Sequence, residues 1–261
     1  MLSLFRLSPP SPDKPARLQR DSIPFVLADG RRIDVLRVRD PRARRIKLSV
    51  GERGARLTLP LRASLVSGER FLHEHRDWLG AQLAAMGGGL APLVRGEAAS
   101  LPLRDALLPV DWQAGRFARA RLEEGGVALQ SPAGAGPAAI ARALRDFYEA
   151  QARTDVGRWL PAYLPGLPLP PSRIRLRVLS SQWGSLAPDG TLTLDLSLVL
   201  GRPSAFEYVL VHELCHLIRA DHSRAFWREV EARCPDWREA RDYFHAHGRR
   251  LKADLHVLLS G

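Results

Sequence analysis

The chain has 261 residues, 45% of them hydrophobic, which is enough for one large domain or two small ones with packed cores and excludes a disordered chain. No run approaches the roughly 20 apolar residues of a membrane span, and residues 1–7 are too short and interrupted for a signal-peptide core, so a cytoplasmic location is the default expectation. The formal charge of +11 and the pI near 10.8 come almost wholly from arginine, since Lys14, Lys47 and Lys252 are the only lysines, and that bias fits genome composition as well as a nucleic-acid surface.

Residues 1–20, with Pro9, Pro10, Pro12 and Pro15, read as a flexible leader. Strands are predicted at 25–27 and 33–38 around an Asp29-Gly30 turn, and a hairpin at 46–50 and 55–59 across Gly51 to Gly54. The arginines between Arg37 and Arg45 read as a solvated strand face, with phosphate binding as the alternative. From 64 to 86, the spacing of Val66, Phe71, Leu72, Trp78, Leu79, Leu83 and Met86 predicts one long helix, ended by Gly87-Gly88-Gly89. His73 and His75 are two apart, so they face different ways and read as surface or packing residues. Strands at 117–122 and 127–130 flank Gly125-Gly126 in a β-rich stretch over 100–130. The Pro/Gly/Ala run 131–137 is the expected linker between a β-rich region over 21–130 and a second domain over 138–261. That domain is expected to hold a helix at 138–160 and strands at 174–178 and 191–196, the latter after a Pro188-Asp189-Gly190 turn.

Pro203 suits the first turn of a helix whose apolar positions include Phe206, Val209, Leu210, Leu214, Leu217 and Ile218. Within it lies His212-Glu213-Leu214-Cys215-His216, with His222 six positions further on. Residues four apart on a helix are separated by roughly 40° and about 6 Å, so His212 and His216 can face one ion. Glu213, about 100° from His212, sits at the flank, where a carboxylate serves as general base and not as third ligand. A continuing helix would carry His222 off the ligand face, so the helix must stop between 219 and 223. Asp221 and Ser223 suit a break and a new N-cap, and Phe226, Trp227, Val230 and Cys234 give a second apolar stripe before Pro235. His222 can then swing back, giving three neutral imidazoles and an open fourth position, the donor set of a catalytic Zn2+ site. Cys215 lies on the other flank and reads, like Cys234, as a small buried residue. Asp236 and Glu239 resemble a capping box for a last helix ending at Gly248. Tyr208, Tyr243, His245 and His247 are candidates for a second electrophile, with packing as the simpler role for each.

Several stretches resemble a known family: Gln182-Trp183-Gly184-Ser185, residues 208–217, Asp221-His222-Ser223 and Phe226-Trp227, together with residues 42–50 and 71–79. The resemblance is to the YgjP-like metallopeptidases, related to the SprT-like and WLM zincins, and it covers nearly the whole chain after residue 20. It implies an α+β fold: a β-rich N-terminal region with a long helix, followed by a zincin-like catalytic region of helices and a β-hairpin. It also implies that His212, His216 and His222 are zinc ligands and Glu213 the catalytic carboxylate. Gln182 and Leu186 depart from the family's usual Arg-Trp-Gly-Ser-Cys, and Asp195 stands where an Asn-like residue is expected. The expected activity is hydrolysis of a peptide or protein substrate by a zinc-activated water, with Glu213 as general base and no membrane partner. The strand at 191–196 is expected to take an extended substrate by strand addition. Two alternatives stand beside it: a metal-dependent nucleotide pyrophosphatase, and a zinc-stabilised module that binds nucleic acid or a protein partner.

Overall fold

The computed structural model describes residues 19–51, 54–86, 90, 93–97, 99–179 and 181–260, and the chain divides into two compact units, 1–85 and 86–261. Most of the expected leader, the Glu52-Arg53 turn tip and the Gly87-Gly88-Gly89 stop lie outside the described residues. The architecture is α+β.

The first unit holds β1 (Gln19–Val26), β2 (Arg32–Arg39), β3 (Lys47–Gly51) and β4 (Gly54–Leu59), in the sheet order β1-β2-β4-β3. Both hairpins form where the alternation predicted them, and Gly30 takes the left-handed φ of +85° that its turn requires. The long helix is α1 (Leu65–Glu74) and α2 (Arg76–Met86), interrupted by one residue, His75, whose ring stacks on Phe71 at 4.1 Å. Ser64 caps α1 by accepting from Ser67 N. Phe25, Leu27, Val35, Leu57, Leu59, Leu72 and Leu79 form this unit's core. His73 packs edge-on against Phe25 at 5.0 Å, the packing role expected of it.

The second unit begins with β5 (Ser100–Leu103), β6 (Ala106–Ala114), β7 (Arg119–Glu123) and β8 (Gly126–Ser131), ordered β5-β6-β8-β7. Then come α3 (Pro137–Tyr163) and a second sheet of β9 (Arg173–Arg177), β10 (Gly184–Leu186) and β11 (Thr191–Asp195), ordered β10-β11-β9. The helices α4 (Pro203–Cys215), α5 (Arg224–Arg233) and α6 (Trp237–Leu259) complete it. The stretch 131–137, expected as an interdomain linker, lies inside this unit. Leu101, Val127 and Leu129 share one core with Leu144 of α3 and Leu210 and Leu214 of α4. The β5–β6 turn adds a polar tie. Arg104 and Asp105, both at positive φ, donate their amides to the carbonyls of Val199 and Leu200 just ahead of α4, and the Arg104 guanidinium bonds the buried Asp155 of α3.

Two local signals near the last helix have other outcomes. Asp236 makes no side-chain cap bond, so the expected capping box does not form. The last helix also runs past Gly248 to Leu259, because Gly248 serves there as a site of close approach: a Cβ would lie 2.6 Å from Cζ2 of Trp183. We expect Gly248→Ala to destabilise the second unit by about 1–2 kcal/mol in chemical unfolding. Overpacking against a rigid indole outweighs the roughly 1 kcal/mol that alanine gains over glycine in a helix.

Candidate metal centre

Pro203 occupies the first turn of α4, where its missing N–H costs nothing, and the apolar positions Phe206, Val209, Leu210 and Leu214 bury the helix on several sides. The helix ends at Cys215, earlier than the predicted stop at 219–223. The amides of His216, Leu217 and Ile218 turn back to Glu213, Leu214 and Cys215 in a tightened last turn. Ser223 then caps α5, accepting from Phe226 N at 3.4 Å, as the sequence suggested. The bend returns His222 to the end of α4.

His212, His216 and His222 each offer one ring nitrogen, and these three atoms all lie within 4.8 Å of one another. Nε2 of His212 and Nε2 of His222 are 3.1 Å apart. A tetrahedral ion about 2.0–2.1 Å from each ligand nitrogen sets neighbouring nitrogens about 3.3 Å apart, so the spacing suits one ion. The His216 ring donates from Nδ1 to the Arg219 carbonyl at 3.1 Å, the tautomer that leaves Nε2 with its lone pair. His212 is held neutral: burial first, then the charges of His216, His222 and Arg241, push its pKa down to about 4. Its buried Nδ1 has no hydrogen-bond partner among the described residues. Burial also lowers His216. Three imidazoles converging on one point fit a metal ion. Phe226 packs beneath all three rings, with centroids 4.5–4.9 Å away.

Glu213 is 7% exposed, and burial lifts its carboxyl to about 7. Its side chain lies against the α-carbon of Gly184 in β10: a Cβ there would meet Cγ, Oε1 and Cδ of Glu213 at 2.7–2.9 Å. Gly184 is therefore the residue that leaves room for the carboxyl group. The segment that carries it is held by a buried ion pair. Lys252 of α6 donates to the carbonyls of Leu179 (2.5 Å) and Gln182 (3.0 Å), lies 4.6 Å from the Trp183 ring centroid and pairs with Asp195 at 3.4 Å. Asp195 accepts from the amides of Leu179 and Ser197 and from the Ser197 hydroxyl. Burial raises the Asp195 carboxyl, and the Lys252 charge and these donors oppose the rise.

The imidazoles and Glu213 open into a cleft of about 980 Å³ whose other walls include Trp183, Leu186, Tyr208, Trp227, Arg241 and Phe244. Of the four candidate electrophiles, Tyr208 and His245 line this cleft, and burial pushes the Tyr208 phenol up to about 12, so it carries its proton. Tyr243 instead accepts from Arg202 N and donates to Asp105, and His247 packs on its ring. Cys215 is fully buried and outside the cluster, as expected. Sequence reasoning did not give Gly184, the Asp195–Lys252 pair or Arg241 a role. The signals on offer were the Trp183-Gly184 dipeptide within a family-like motif and Asp195 as a departure from the family pattern, both readable only as bearing on a substrate-facing loop.

Residues 44–247 match the model of the YgjP-like metallopeptidase domain. The chain belongs to the YgjP-like metallopeptidase family. Membership implies a metal ion, and the histidine cluster is a group that could hold it. Among solved structures, the chain is similar to the crystal structure of the metallopeptidase zymogen of Pyrococcus abyssi abylysin. Identity is 28%, the likeness covers 40% of this chain and 97% of that one, and the TM-score is 0.30. No curated protein matches the chain. No helix among the described residues is long and apolar enough to cross a membrane.

Elemental mass spectrometry of the purified protein should find about one metal ion per chain, with a clear reduction in His222→Ala. His222 is exposed, so its loss should leave the far-ultraviolet circular dichroism unchanged.

Proposed function

We propose that the chain is a zinc-dependent metallopeptidase in which His212, His216 and His222 hold the ion and Glu213 is the general base. The observation that carries this reading is the convergence of three imidazole nitrogens within 4.8 Å beside a buried carboxyl group, in a cleft large enough for a peptide. Zinc, when bound, supplies Lewis acidity that polarises a carbonyl and brings the pKa of water toward about 7. Glu213 moves the proton. It takes one from the attacking water and passes it to the leaving amine. Asp195 and Lys252 brace Leu179 and Gln182, and Gly184 just beyond leaves the space that the carboxyl group occupies.

The substrate-binding strand differs from the one the sequence suggested. β11 lies between β10 and β9, so both its edges are already paired and it cannot receive a further strand. The edge beside the cleft is β10, and Gly184, Ser185 and Leu186 line the cleft directly. We assign the extended substrate to β10, with main-chain bonds giving affinity and the apolar walls selecting side chains. The two free cysteines, Cys215 and Cys234, are compatible with a reducing compartment such as the cytoplasm, the location we assign.

Glu213→Gln should retain its zinc and lose peptidase activity by about a hundredfold or more, measured on a peptide library digested with wild type and variant side by side. A fully active, zinc-loaded variant excludes Glu213 as the base. Gly184→Ala should bind zinc normally yet lose about tenfold or more in kcat, since the added methyl displaces the carboxyl by a fraction of its working distance.

A further inference from the structure

The second unit has another feature that the peptidase reading does not use. β9 is the edge strand of its sheet, paired with β11 on one side and with no strand among the described residues on the other. Arg173, Arg175 and Arg177 alternate along it and are all exposed, while Leu176 is buried. At about 3.3 Å per residue, successive guanidinium stems leave the strand about 6.6 Å apart. A groove of about 560 Å³ runs along residues 173–178, and Arg145, Glu149 and Arg153, one helix turn apart on α3, line it too.

Six charged groups thus surround the groove, and five are arginines. Arg153 has a long 3.9 Å pairing with Glu149, and Arg175 is near enough to Asp189 to favour its ionised form. Arg145, Arg173 and Arg177 form no ion pair among the described residues. Charges on an edge strand commonly guard against association with another edge. A row of arginines repels a second copy of itself, but it does not repel a strand with carboxylates at the facing positions. Cross-strand pairs of opposite charge are favourable, and guanidinium binds carboxylate through two parallel bonds.

We propose that the free edge of β9 and the arginines around it form a docking groove for an acidic polypeptide segment in extended conformation. The segment adds to β9 through main-chain bonds and sets alternate Asp or Glu side chains over Arg173, Arg175 and Arg177. The unpaired strand edge decides between the two polyanions that arginines attract. A nucleic-acid backbone has no use for a row of main-chain donors and acceptors at strand spacing, whereas an extended peptide matches it residue for residue. The groove is independent of the metal centre, so its test does not depend on the peptidase assignment.

The experiment is fluorescence anisotropy with the full chain at roughly 0.15 M salt. Four labelled probes are compared: an alternating Glu-Thr peptide, its Gln-Thr counterpart, the Glu-Thr peptide with proline at two central threonines, and a single-stranded oligonucleotide. The proposal expects the Glu-Thr peptide to bind about tenfold or more tightly than the other three, because the proline version keeps its carboxylates but loses main-chain donors. Arg173→Glu/Arg175→Glu/Arg177→Glu should abolish this preference with its metal content unchanged. Should that triple variant fail to fold, Arg145→Gln/Arg153→Gln is read in its place, and a weakening of about threefold or more is expected. Equal binding of Glu-Thr and Gln-Thr peptides overturns the proposal. So does equal binding of the proline peptide, which would leave a non-directional basic patch, and so does tighter binding of the oligonucleotide, which would make the groove a nucleic-acid surface.

Discussion

The end of α4 sets a buried carboxyl group beside a half-buried imidazole, with no opposite charge against either among the described residues. Glu213 and His212 are both largely removed from water, and each responds by favouring its neutral form, the acid moving up to about 7 and the histidine down to about 4. Leaving such groups buried without compensation costs about a few kcal/mol. The surrounding structure holds both groups in place against that cost.

That constraint explains an otherwise odd set of contacts. The Glu213 side chain is accommodated only because residue 184 has no Cβ, and residue 184 is where it is because Asp195 and Lys252 grip the backbone on either side of the preceding loop. Lys252 reaches that loop from α6, and Gly248 lets the edge of the Trp183 indole come close to the α6 backbone. Trp183 in turn packs on Phe244, 4.5 Å between ring centroids. A chain of small and charged residues on four elements thus controls the placement of one carboxyl group. The Asp195–Lys252 pair is itself buried, with hydrogen bonds satisfying most of its remaining valence, the condition under which a buried ion pair holds geometry without a net penalty.

The two basic regions have different physical characters. Of the arginines between Arg37 and Arg45, Arg37 and Arg39 lie on β2 of the first unit, where Arg37 pairs with Asp21 and Glu69 and Arg39 donates to the carbonyls of Leu61 and Ala63, while Arg42, Arg44 and Arg45 lie in the loop before β3. These two are tied down inside the unit, and Arg37, with its side chain only 12% exposed, is not part of the solvated face expected from the sequence. The arginines of β9 and α3 line an open groove, where among the described residues only Arg153 is paired, at 3.9 Å to Glu149. High arginine content by itself does not separate the two cases; the neighbours do.

The sequence alone determined whatever depends on local periodicity and on spacing within one helix. The 212/216 pair, the proline start of α4, the Ser223 cap, the hairpins of the first unit and the return of His222 all follow from steric rules acting over a few residues. Only the tertiary structure decided which glycine was a stop and which a contact, that β11 lies inside its sheet and leaves β10 as the edge at the cleft, and that residues 131–137 join two parts of one core. Each of those outcomes depends on a partner distant in sequence: Trp183 for Gly248, β9 for β11, Val199 for Arg104. Burial and pairing with distant residues leave no periodic trace in a sequence, so the clustered histidines were legible while the framework around the Glu213 carboxyl group was not.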